Sequence, residues 1–137
     1  MDLTQSFPCS PRKKMAGLVH LPRMVDKIRA LKNNTLGEYI YPCPLDQIIL
    51  DFLQVSAEEL ANRTGAENDE QISQWVESQK HSRNREEKEA VNNKILERRP
   101  DSEDGWKRFQ DLRDKTDPSR TDVVTWVDLI DLEEGRL

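Results

Sequence analysis

The chain has 137 residues, enough for one domain, with 35% hydrophobic residues, 34% charged residues and a formal net charge of −5. A core must therefore come from helical stripes, with charged faces left in water. No apolar run approaches the ~18–20 residues that span a bilayer, and the opening MDLTQSFPCSPRKK lacks the apolar stretch and cleavage site of a secretory signal. No membrane association is expected, and the chain reads as cytoplasmic.

Residues 1–9 are polar and aperiodic and read as a flexible N-terminus. Ser10-Pro11 is an N-cap followed by proline and predicts a short helix to about Leu18. Its Arg12, Lys13 and Lys14 fall in the first turn, where the helix dipole disfavours cations, so an anion or an acidic neighbour is expected there. Leu21-Pro22 opens the next helix, with Leu21, Met24, Val25, Ile28 and Leu31 on one buried face and Asn33-Asn34 at its end. Asp26 lies three residues from both Arg23 and Arg29 and is expected to pair with either.

Thr35 to Pro44 is not helical. Gly37 permits a turn, Tyr39-Ile40-Tyr41 is β-prone, and Pro42 and Pro44 bracket Cys43. A broadly apolar helix follows from Pro44 to about Leu53. Ser56 to Glu59 reads as a capping box for a helix to about Arg63, and Asn68 or Asp69 caps a helix carrying Ile72, Trp75 and Val76. A polar helix is predicted over Ser82–Arg99, then one capped by Ser102 or Asp101 with Trp106, Phe109 and Leu112. The last is predicted to start near Thr121-Asp122 and to bury Trp126 and Ile130. Trp75, Trp106 and Trp126 read as core anchors. The sum is an all-α chain: a single irregular multi-helix domain over residues 10–137, with six or seven helices and one extended loop rich in Pro, Tyr and Cys.

Charge is unevenly distributed. Residues 1–32 carry seven Lys and Arg against Asp2 and Asp26, a balance of +5, whereas the remainder carries −10. A basic end on an acidic body either binds an external anion or docks on its own acidic half, and the second is simpler. Two cysteines, Cys9 and Cys43, make no disulfide framework, and without a CxxC pair, with His20 and His81 far apart, no metal site is expected. No residue pattern names a cofactor.

Chemistry-bearing residues concentrate between Gly17 and Asp46. Arg23, Lys27, Arg29 and His20 with Tyr39 and Tyr41 form a candidate site for phosphate or carboxylate, since arginine forks match such anions and tyrosine adds a hydroxyl and a stacking face. The alternative is an ion-pair network onto the acidic body. Asp26, Glu38 and Asp46 complete the candidate ligand set. Cys43, just before a helix start, is a candidate nucleophile with His20 as its base, against a reading as a small buried hydrophobe. Glu38 with Asp46 is a candidate carboxylate pair for acid–base work or Mg²⁺; more simply, Asp46 stabilises its helix dipole and Glu38 pairs with Arg23 or Arg29. Leu53 to Leu60 has the outline of a helix-turn-helix corner, but Glu58 and Glu59 oppose phosphate there.

The runs VHLPRMVDKIRA and LGEYIYPCPLDQIILDFL resemble a family of small bacterial proteins known only as a domain of unknown function, with the pattern HLPRMxDKxRA…LGEYxYxCPLD. His20, Leu21, Pro22, Arg23, Met24, Asp26, Lys27, Arg29, Ala30, Leu36, Gly37, Glu38, Tyr39, Tyr41, Cys43, Pro44, Leu45 and Asp46 carry the resemblance. It covers most of residues 10–80 and implies a small, cytosolic, bacterial helical protein without an established activity. The expected function is a binding module for a small anionic ligand or acidic protein segment, through the basic helix and the adjacent Tyr-rich loop. The alternatives are an enzyme built on Cys43/His20 or Glu38/Asp46, and a nucleic-acid accessory protein, which the acidic total disfavours.

Overall fold

The computed structural model describes residues 1–79 and 84–137. Among them are a two-stranded antiparallel ribbon, β1 (Lys14–Met15) with β2 (Leu18–Val19), and seven helices: α1 (Leu21–Lys32), α2 (Pro44–Leu53), α3 (Ala57–Thr64), α4 (Asp69–Ser78), α5 (Arg85–Leu96), α6 (Glu103–Thr116) and α7 (Trp126–Glu133). The chain is a predominantly α-helical single domain, as its periodicity predicts. No described helix is long and apolar enough to cross a membrane.

Local chemistry starts most of these helices. Ser56, Asn68, Asn84, Ser102 and Thr125 each accept a backbone N–H of the following first turn, a contribution of about 1 kcal/mol per cap. Cys43 caps α2 with sulfur: its thiol accepts the Asp46 N–H, and the Asp46 carboxylate accepts the Cys43 N–H. At Ser56 only the serine half of the expected box forms. The end of α1 falls at Asn33, and Asn34 takes the left-handed conformation, φ 57°.

The larger core joins Leu21, Met24, Val25 and Ile28 of α1 to Ile49, Leu50 and Leu53 of α2, Leu60 of α3, Ile72 and Val76 of α4, and Ile95 of α5. A smaller cluster gathers Phe109, Val123, Leu129 and Leu132, with Trp106, Leu112 and Trp126 against it. Both tryptophan rings meet Phe109 edge-on, with centroids 5.6 and 5.1 Å away. Val127 of α7 reaches the larger core, so α7 couples the two clusters.

Several elements depart from expectation. Residues 11–18 do not form a helix. Ala16 (φ 53°) and Gly17 (φ 78°) both lie in the left-handed region, the geometry that closes a two-residue hairpin. Asn92 of α5 clamps that hairpin: its Oδ1 accepts the Val19 N–H and its Nδ2 donates to the Gly17 carbonyl, each at 2.9 Å. Leu31 is exposed rather than buried. The final helix begins at Trp126, with Thr125 as its cap, not near Thr121. The polar helix is α5; its expected start at Ser82–Arg83, like His81, lies outside the described residues. Residues 1–9 are held at several points. Leu3 is buried and its N–H reaches Thr35, Pro8 accepts from Arg136, and the Cys9 N–H donates to Asp26.

Candidate functional site

His20 and Lys27 stand two turns apart on one side of α1, and Asp46 enters from the first turn of α2. The non-helical segment after α1 folds back so that the start of α2 meets the flank of α1. His20 Nε2 lies 2.6 Å from Asp46 Oδ1, and Lys27 Nζ lies 2.5 Å from Asp46 Oδ2. Lys27 also donates to the Ile40 carbonyl at 3.0 Å and to Cys43 Sγ at 3.4 Å. His20, Lys27 and Asp46 are all buried. The backbone at His20 is itself in the left-handed region, φ 71°, a strained state for a non-glycine residue. Its N–H bond to the Lys13 carbonyl and its ring bond to Asp46 hold it there.

The cluster settles its own charges. Burial alone raises the Asp46 pKa, but the His20 N–H and the Lys27 ammonium outweigh it and hold the carboxyl at about 2, against 3.8 ordinarily. Burial pushes the His20 pKa down against the pull of Asp46, so the imidazole is neutral and donates through Nε2. Its Nδ1 is then a buried acceptor with no hydrogen-bond partner among the described residues. Burial and the Asp46 charge push the Cys43 thiol up, more than Lys27 lowers it. A thiolate nucleophile needs the opposite shift, and the His20 ring nitrogen that is bonded goes to Asp46, not to sulfur.

The donor atoms of His20, Cys43 and Asp46 lie within 4.8 Å of one another, a gathering that spacing along the chain does not reveal. These are the residues that could hold a metal ion. The Lys27 ammonium already supplies a cation to two of them, so an ion would have to displace it.

A second buried network ties α1 to the C-terminus. Arg23 makes a fork of two bonds to Glu134, 2.8 and 2.7 Å, and donates to the Cys9 carbonyl. Tyr39 donates to Glu134 at 3.1 Å, with the Arg23 guanidinium 5.4 Å from its ring centroid. Burial and the Glu134 charge push the Tyr39 pKa up to about 12. Asp131 accepts from Ser10 and Arg136, and Arg12 pairs with Asp128 and Asp131. The acidic neighbour expected beside Arg12 is therefore α7.

The pairings differ from those spacing suggests. Asp26 accepts the Cys9 N–H rather than an arginine. Arg29 pairs with Asp69, 2.8 Å away, and Tyr41 donates to the Ala57 carbonyl. Glu38 forms no ion pair among the described residues and is exposed, whereas Asp46 is buried; the two carboxylates share no accessible site. The partners that sequence reasoning misses, Glu134, Asp131 and Asn92, sit in the C-terminal half and bear no local signal.

A family model described as "Domain of unknown function (DUF5069)" matches residues 5–136. The chain belongs to this family. The DUF5069 match contains the whole stretch from His20 to Asp46 and extends past residue 80. No curated protein matches the chain.

Two openings flank the buried networks of this DUF5069 chain. A cleft of about 380 Å³ lies over α1 and the hairpin, lined by Lys13, Lys14, Asp26, Arg29, Asp69 and Ser73 among others. A groove of about 820 Å³ runs between residues 3–7 and Gly37–Tyr39.

Proposed function

We propose that the protein is a binding module for a small anionic ligand, seated in the cleft over α1 with Lys13, Lys14 and Arg29 as its cationic contacts. The observation that carries this reading is how the basic N-terminal third is used. Arg12, Arg23 and Lys27 are committed to carboxylates of the acidic body. Lys13 and Lys14 are exposed and form no ion pair among the described residues; the Lys13 ammonium donates to the Cys9 thiol at 3.9 Å. Arg29 is paired with an exposed Asp69, an interaction of about 0–1 kcal/mol that an incoming anion can replace. The cleft has the size of a small-molecule site, and Ser73 adds a hydroxyl to its lining. An acidic side chain of a protein segment offers the same chemistry in a larger frame. The buried His20–Asp46–Lys27 cluster then acts as scaffold: it fixes the helix and hairpin that form the walls of the cleft. Catalysis by Cys43 and His20 gains no support from a raised thiol and a buried imidazole.

Titration with inorganic phosphate and with a polyglutamate peptide, followed by backbone amide shifts, tests the reading. Changes are expected at residues 13–16, 26–29 and 69–73, weakening as salt rises. The double variant Lys13→Ala/Lys14→Ala should lose about tenfold in affinity, the equivalent of about 1.4 kcal/mol, while Lys107→Ala on α6 binds normally. Equal binding by the double variant, or shifts confined elsewhere, overturns it.

A further inference from the structure

Five large apolar side chains stand exposed among the described residues: Met1, Phe7, Leu31, Ile40 and Leu137. Four of them border one loop, residues 35–42. Ile40 belongs to that loop and is 67% exposed. Phe7 shares the 820 Å³ groove with Gly37, Glu38 and Tyr39. Met1 is tied to the start of the loop, where its carbonyl accepts the Thr35 hydroxyl at 2.6 Å. Leu31 lies on the opposite flank, in a second groove of about 390 Å³ with Tyr41 and Pro42. Apolar residues scattered singly over a surface need no explanation, but a cluster around one loop marks an interaction site.

The backbone of the loop is fixed from beneath. The Lys27 ammonium holds the Ile40 carbonyl, Tyr41 is bonded to Ala57, Tyr39 to Glu134, and the Leu3 N–H to the Thr35 carbonyl. Ile40 is therefore presented outward on a rigid frame, and ordering it on binding costs little. The hydrogen bonds that make the buried cluster also hold this surface in shape.

Charge selects the occupant. Glu38 lines the first groove and Glu58 the second; neither forms an ion pair among the described residues. Asp2 lies beside Thr4 of the first groove, and Lys32 is the one cation lining either. A second copy of the chain would set these acids against one another, on a molecule already at −5. We infer that the loop at residues 35–42, with its two flanking grooves, is the docking surface for a basic amphipathic segment of another protein. Apolar side chains of the segment cover Ile40, Phe7 and Leu31, and its Lys or Arg side chains meet Glu38 and Glu58. This surface is separate from the anion cleft, and either reading can fail without the other.

The probe is a synthetic helical peptide of about 14 residues, roughly four turns, with Leu at helical spacing and Lys elsewhere; its control carries Glu in place of every Lys. Binding is read by fluorescence anisotropy and mapped by amide shifts. The Lys peptide is expected to shift residues 1–7 and 31–42, and the Glu peptide not to bind there. Ile40→Ser should weaken the Lys peptide at least about tenfold, and Glu38→Lys should weaken it while admitting the Glu peptide; circular dichroism confirms that both variants are folded. Shifts that map to α5 or α6, unchanged affinity in both variants, or equal binding of the two peptides at the loop overturns the proposal. So does concentration-dependent self-association abolished by Ile40→Ser, which would make a second copy the occupant.

Discussion

Asp46→Ala is expected to destabilise the protein by about 3–5 kcal/mol, because it strands a buried ammonium and a buried imidazole at once. The carboxylate meets Lys27, His20 and the Cys43 N–H, and it completes the cap of α2. A loss of that size is a large share of the ~5–15 kcal/mol that holds a domain together. Lys27→Met alone should cost less, because Asp46 keeps two of its three partners. The double variant Lys27→Met/Asp46→Asn should be more stable than the sum of its parts, since it removes both charges together. Urea unfolding of Lys27→Met, Asp46→Asn and the double variant measures the coupling, and simple additivity would contradict the pairing.

The same groups set the response to acid. Asp46 has a folded pKa of about 2 against 3.8 ordinarily, so the unfolded chain binds its proton more readily. The stability it contributes is complete above about pH 4 and is lost as pH falls through about 2, roughly 2 kcal/mol in all. His20 acts in a higher window. Burial depresses its pKa below 6.5, so the unfolded chain takes up that proton first and stability begins to decline below about pH 6.5. The unfolding midpoint should therefore fall in two stages on acidification. Asp46→Asn should shrink the lower stage, to which Glu134, held against its burial below its usual range by Arg23 and Arg136, also contributes, and a flat profile from about pH 7 to about pH 3 would count against the cluster.

Deleting residues 121–137 is expected to abolish cooperative folding. The deletion removes Val123, Leu129 and Leu132 from one core cluster and Val127 from the other, and it uncovers Phe109. It also leaves the buried Arg23 without Glu134, and Arg12 without both of its carboxylates. Loss of a single buried partner already costs several kcal/mol, and here it coincides with the loss of packing. Circular dichroism on heating should show no sharp transition. A truncated form that melts cooperatively would mean that residues 1–120 contain a sufficient core.

Most of the helices were legible because their signals are local. Cys43-Pro44 at the start of α2, Asn68 before α4 and Ser102 before α6 each act on the turn that follows them. The hairpin was not legible: its strands are two residues long, and Asn92, which clamps it, lies far along the chain. α7 starts later than the apolar content suggests because Val123 is buried in non-helical backbone ahead of it.

The candidate site was legible as a stretch but not as a set of contacts. Residues 20–46 supply the buried His20, Lys27 and Asp46, and the simpler expectation for the basic end, docking on the acidic half, describes Arg12, Arg23, Lys27 and Arg29. Which carboxylate takes which cation depends on how the two ends of the chain meet. Arg23 and Glu134 are 111 positions apart, and no periodicity links them. That closure buries Arg23, while Lys13 and Lys14 stay exposed cations on the cleft.

The most direct measurement is the alkylation rate of Cys43 against pH, in a Cys9→Ser background. If the His20–Asp46–Lys27 cluster is scaffold, the thiol reacts slowly, titrates above the ordinary value of about 8.5, and reacts faster when Asp46→Asn loosens its surroundings. A fast reaction titrating well below that value, and lost in His20→Ala, would contradict the account and make the cluster a reaction centre.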